Sequence, residues 1–170
     1  MRQIRFVEKK VILVAEELEI AKRKNNHIFF GIRENGTMSD KDTVDEILRK
    51  GLKFDSSRHV EKVSRVGRFS SDKIRPIRVK LVGIESKKEI LQRAKSLSSG
   101  KLNRVFIAPD LTKKQQEHDK DLREHVQLFR EENIDQEIKI KIKLGKVVKN
   151  EQQENQDIVL YDPRKEIKKD

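Results

Sequence analysis

The chain has 170 residues and carries 40 Lys+Arg against 29 Asp+Glu, a formal net charge of +11, with 34% hydrophobic residues, 5% aromatic residues and no Trp. Such a composition buries one small core with satellite elements rather than the enclosed cavity of a large enzyme, and the absence of Cys excludes disulfides, thiolate metal sites and cysteine nucleophiles. The longest apolar run, Val11 to Ala15, is far short of the roughly 20 residues that cross a bilayer, so neither a membrane span nor a signal peptide is expected, and the basic excess points to polyanions, nucleic acid first.

The first predicted element is a helix with a coiled-coil seam. Ile4, Val7, Val11, Val14, Leu18 and Ala21 recur at alternating spacings of three and four, with Ile4, Val11 and Leu18 at the a positions. Charged residues fill the other faces, and the next a position is Asn25. A 3.5-residue period held for six positions predicts a self-associating helix over 1–25.

Strands and helices then alternate. His27 to Ile32 reads as a strand, and Ser39 with Asp42 opens a helix with an apolar stripe of Val44, Ile47 and Leu48 that Gly51 stops. Residues His59 to Val66 make a weak second strand and Arg75 to Val82 a strong third, with Ile77, Val79 and Leu81 alternating against Arg78 and Lys80. Ser86 to Glu89 reads as a capping box starting a helix with Ile90, Leu91, Ala94 and Leu97 on one face, and Val105 to Ala108 is a fourth strand.

Over 26–110 the order is therefore βαββαβ, the split βαβ of ferredoxin-like domains, whose open sheet face binds single strands in RNA-recognition-motif proteins. With Ile28, Phe30 and Ile32 directed at the helices, alternation puts His27 and Phe29 on the open face, and Phe29 becomes the base-stacking ring beside Arg78 and Lys80. Between Asp55 and Lys101 thirteen basic residues face five acidic ones, and a Gly- and Ser-bearing loop, Val66 to Ser71, joins two of the strands.

Downstream, Thr112 with Gln115 starts a polar helix to about Glu132 with Leu122, Val126 and Phe129 as its apolar stripe. Ile138 to Leu144 alternates perfectly, and with Lys146 to Lys149 and Ile158 to Tyr161 it predicts a helix-plus-hairpin unit over 111–161. Lys139, Lys141 and Lys143 give that unit a second basic surface, and 162–170 is expected to be a disordered tail. The expected class is α+β.

Five runs carry a resemblance: Lys24 to Ile32, Val60 to Arg68, Arg75 to Leu81, Lys88 to Lys95 and Phe106 to Gln115. In order and spacing they resemble the first-open-reading-frame protein of LINE-type (non-LTR) retrotransposons, over roughly residues 20–150. The resemblance implies a trimeric coiled coil, an RNA-recognition-like domain and a C-terminal domain that coat the element's RNA and act as a nucleic-acid chaperone. It further implies a non-enzymatic protein without cofactor in a cytoplasmic ribonucleoprotein with access to the nucleus. RNA contact carries over to Arg65, Arg68, Arg75 and Lys80, which match the family's basic positions, whereas Ser64 and Arg78 depart from its His and apolar residue, and the coiled coil is short for the family.

The four His show no metal-ligand spacing and read as solvated side chains, while Asp40, Asp42, Asp45 and Glu46 suit a helix start. No catalytic or metal residue is expected. Expected partners are single-stranded RNA, with single-stranded DNA as the close competitor, and a second and third copy of the chain. The competing expectation is a coiled-coil interaction scaffold whose basic charge is only solubilising or membrane-directed.

Overall fold

The protein is described from a computed structural model covering residues 2–34, 37–95, 97, 102, 104–133, 139–143, 146–150 and 157–163, without the side chains of 2–5, 139, 150 and 157. The fold is mixed α+β, and the chain divides into two units, Met1–Thr112 and Lys113–Asp170. No helix among the described residues is long and apolar enough to cross a membrane.

The first unit runs α1 (Arg2–Arg23), β1 (Asn26–Phe30), α2 (Asp40–Glu46) with a wider π-type turn (Ile47–Gly51), β2 (Val60–Arg65), β3 (Ile77–Leu81), α3 (Ile84–Ala94) and β4 (Phe106–Pro109). Its four strands lie in the order β2-β3-β1-β4, and each neighbouring pair is antiparallel. Helix α2 starts as the sequence predicts. The Ser39 hydroxyl accepts from the Asp42 amide at 3.1 Å, and Asp40 and Asp42 lie in the first turn, where the helix dipole favours anions. Helix α3 does not start at the expected capping box. Gly83 is its N-cap, and Ser86 is buried within the helix with its hydroxyl 2.8 Å from His59 Nδ1.

One face of the sheet is dry. Phe29, Ile77, Val79, Leu81 and Ile107 pack there against Val44, Ile47 and Leu48 of the α2 segment and Ile90 of α3, with Ile32, Leu52, Phe54 and Leu97 closing the edges. Residue parity explains the choice in β3: Ile77, Val79 and Leu81 are all buried, while Lys80 between them is exposed.

His27 also lies in this dry layer rather than in solvent, a correction to its expected place on the open face. Its Nε2 is 3.0 Å from the carbonyl oxygen of Lys87 and its Nδ1 3.3 Å from that of Ala108. A neutral imidazole has one N–H and serves one of these acceptors, yet burial still pushes the pKa below its ordinary 6.5. The unfolded chain therefore takes up a proton near pH 6.5 while the folded chain resists it. Stability present above that pH is lost as the pH falls towards the lowered folded value. The urea midpoint should drop between about pH 7.5 and about pH 5.5, and His27→Gln should flatten that drop. An equally steep drop in the variant would place the acid sensitivity elsewhere.

The second unit comprises α4 (Lys113–Glu132) and a three-stranded antiparallel sheet, β5 (Lys139–Lys143), β6 (Lys146–Asn150) and β7 (Asp157–Tyr161). Leu122 and Val126 of α4 bury against Ile140 and Val147, with Phe129, Leu160 and Tyr161 at the margin. The Tyr161 ring stacks on His125 at 3.6 Å, and its hydroxyl donates to Asp121 at 2.8 Å. Asp162 and Pro163 are buried, and Asp162 pairs with Lys146 at 2.9 Å, so these two do not belong to a disordered tail. The rest of the expected tail, 164–170, lies outside the described residues.

Candidate nucleic-acid interface

Strand pairing decides which side chains share the open face. Ile28 is opposite Arg78 and Ala108, Phe30 is opposite Phe106, and Arg78 and Lys80 are opposite Ser64 and Lys62. Partners across an antiparallel ladder project to the same side. The outer face therefore carries Ile28, Phe30, Phe106, Arg78, Lys80, Lys62 and Ser64.

Phe29 is not on it. The ring is 0% exposed at the centre of the core, which corrects the expected β1 register by one residue. The solvent-facing rings are Phe30 and Phe106, 40% and 63% exposed, with centroids 6.0 Å apart and planes tilted by 36°. Neither was expected from the sequence as a functional residue. The available signal was the cross-strand pair itself, which places two rings side by side only once β1 is known to lie beside β4.

The basic residues fall into three groups. Arg65 is committed to the fold: its buried guanidinium donates to Asp40 at 2.6 Å and to the carbonyl oxygens of Ile32 at 2.7 Å and Arg75 at 2.6 Å. Arg65 therefore stands inside the fold and not on the surface where RNA contact was expected of it. The sequence signal was parity, since Arg65 follows Val63 by two and shares its inward face.

Arg78 and Arg75 are half-committed. Arg78 Nε lies 2.8 Å from Asp110 Oδ2 but out of line for a hydrogen bond, so that contact is ionic. The buried Asp110 carboxylate also accepts from Asn26 at 3.0 Å and from Arg23 at 3.3 Å, and Arg23 donates to the Leu111 carbonyl. One carboxylate thus joins the end of α1 to β1 and β3. Arg75 makes a two-pronged pair with Glu34 at 2.7 and 2.9 Å, whose hydrogen bonds hold the Glu34 carboxyl below its usual pKa.

Lys62, Lys80 and Arg68 are exposed. Lys80 meets Glu61 at 2.6 Å in solvent, a pair that costs little to exchange for a phosphate. Arg68 has no hydrogen bond or ion pair among the described residues.

In the second unit, Lys141 and Lys143 are exposed on β5. Lys141 lines an open depression of about 750 Å³ with Arg123, Arg130, Val126 and Ile142, while the Lys139 side chain lies outside the described residues. On α1, Val7, Val11, Val14, Leu18 and Ala21 of the expected seam are exposed, and the Ile4 side chain lies outside the described residues. Phe6, Ile12, Leu13 and Ile20, off the seam, are exposed as well. Among the described residues, no group of three or more His, Asp and Glu is arranged to hold a metal ion. No protein-family model matches the chain, and a search of curated proteins finds no match.

Proposed function

We propose that the protein binds single-stranded nucleic acid, RNA foremost, across the outer face of its four-stranded sheet, without catalysing a reaction. The observation that carries this reading is the Phe30–Phe106 pair, two rings left in water on a face that also presents Lys62, Arg78 and Lys80. Exposed rings amid cations suit unpaired bases and their phosphates, since bases stack on aromatics and Lys and Arg neutralise the backbone. The strand order β2-β3-β1-β4 with α2 and α3 on one face supports an RNA-recognition-like arrangement. The two rings sit on β1 and β4, however, rather than on β1 and β3, where such domains usually keep them.

Within this reading the chain is the RNA-coating and chaperone protein of a LINE-type element. The resemblance in the runs from Lys24 to Gln115 supports that assignment, and α1 with its apolar seam in solvent supports a homotrimer. The protein would then work in a cytoplasmic ribonucleoprotein.

Fluorescence anisotropy with labelled RNA and DNA oligonucleotides of matched sequence, over a salt series, tests the reading. Affinity should vary little with sequence and fall with salt at a slope of about −0.7 per phosphate contact on a single strand. Phe30→Ala and Phe106→Ala should each weaken binding by roughly 1–3 kcal/mol with little change in melting temperature. A flat salt response, or variants that bind like the parent, would reject it.

A further inference from the structure

We propose that Phe69, in the loop joining β2 to β3, is a second base-stacking residue that takes one unpaired nucleobase of a bound single strand. The proposal rests on the nucleic-acid reading above and adds a subsite away from the sheet face.

Phe69 is 70% exposed, the most exposed aromatic ring among the described residues. It is nevertheless held. The Arg75 guanidinium lies over one face of the ring, 5.4 Å from its centroid. Arg75 is itself fixed from two sides, by the two-pronged pair with Glu34 and by donation to the Gly67 carbonyl at 3.2 Å. Gly67 has φ +91, a conformation that side chains other than glycine's resist, so the turn that starts the loop is built for this direction. The brace runs from Glu34 through Arg75 to the ring, and it leaves the ring's other face open.

The ring also lines an open depression of about 490 Å³, with Arg33, Glu34, Asp72, Lys73 and Ile74 among the other lining residues. Its volume falls within the range of sites for small ligands, roughly 300–1,000 Å³. Glu34 is neutralised by Arg75 and Asp72 accepts from the Ser71 hydroxyl at 2.9 Å, whereas Arg33 and Lys73 of the lining, and Arg68 next to Phe69 in sequence, have no side-chain partner among the described residues. One flat ring with a cation behind it and free cations around it suits a planar base joined to a phosphate. It does not suit an apolar protein surface, which needs a wider dry patch.

The test uses the lack of Trp in the chain. In full-length Phe69→Trp the single indole should be quenched when an unlabelled oligouridylate saturates the protein. Phe69→Ala should weaken binding by about 5- to 100-fold without changing the salt slope, because the ring touches no phosphate. Arg68→Ala, in contrast, should lower the slope by about 0.7 if it meets one phosphate. Unchanged indole emission at saturation, parent-like affinity in Phe69→Ala, or a slope that falls in that variant overturns the subsite while the sheet-face reading stands. Failure of the parent to bind any single strand overturns both.

Discussion

Phe29→Ala should destabilise the first unit by about 3–5 kcal/mol, the usual cost of removing a buried phenyl group, and lower its urea midpoint accordingly. The ring is fully buried in one cluster with residues of the sheet, the α2 segment and α3, so the neighbours cannot collapse into the void without moving the sheet. Phe30, its neighbour in sequence, should behave oppositely. Its ring is 40% exposed, and truncation opens no enclosed cavity in the core. Urea denaturation separates the two: a lower midpoint for Phe29→Ala and a parent-like midpoint for Phe30→Ala. If the two variants exchanged phenotypes, the β1 register would be the one that alternation alone predicts, and Phe30 and Phe106 could not be the binding rings.

That register shows what the sequence could and could not tell. The element order in the first unit was legible because Ile77, Val79 and Leu81 alternate cleanly and Ser39 with Asp42 marks a helix start. Strand β1 offered no such contrast, since His27-Ile-Phe-Phe carries bulky side chains at both parities. Counting back from Ile32 then gave the wrong face. Gly31 explains the error. It has φ +80, which breaks the alternation between Phe30 and Ile32, so both Ile32 and Phe29 are buried although their numbers differ in parity. A Cβ on Gly31 would lie 1.9 Å from the Arg104 carbonyl oxygen, so only glycine permits this close approach to the chain before β4.

The candidate site was legible in composition and misread in detail for a related reason. A basic excess over 55–101 says that cations are present, but not which ones are used internally. Arg65 lies beneath the sheet with Asp40, Arg78 is turned to Asp110, and Arg75 braces a loop, whereas Lys62 and Lys80 remain on the surface. Each assignment depends on a carboxylate or carbonyl 8 to 41 residues distant in sequence, and such pairings have no local signature.

Assembly gives the other large expected effect. Val11→Asp should abolish self-association of the chain and lower its apparent affinity for long RNA by about 10²–10⁴-fold, the gain that linked binding modules usually provide. On α1, Val7, Val11, Val14 and Leu18 all stand in solvent, and a helix with such a stripe lowers its free energy by burying it. The shapes favour three strands over two. Val7 and Val14 occupy the d positions, where two-stranded coils want Leu, and Ile4 and Val11 at a are also β-branched. Leu13, with Phe6 and Ile20, forms a separate row spaced by seven on another side of the helix. Leu13→Asp therefore discriminates between faces: the seam requires that it leave the trimer intact, while a helix that associates through the Phe6 row requires the reverse. Sedimentation velocity over a concentration series reads the outcome directly. The parent should move towards a trimer, Val11→Asp should remain a monomer, and short oligonucleotides that reach only one copy should bind both proteins equally. A parent that stayed monomeric at every concentration would leave the apolar stripe of α1 without self-association as its explanation.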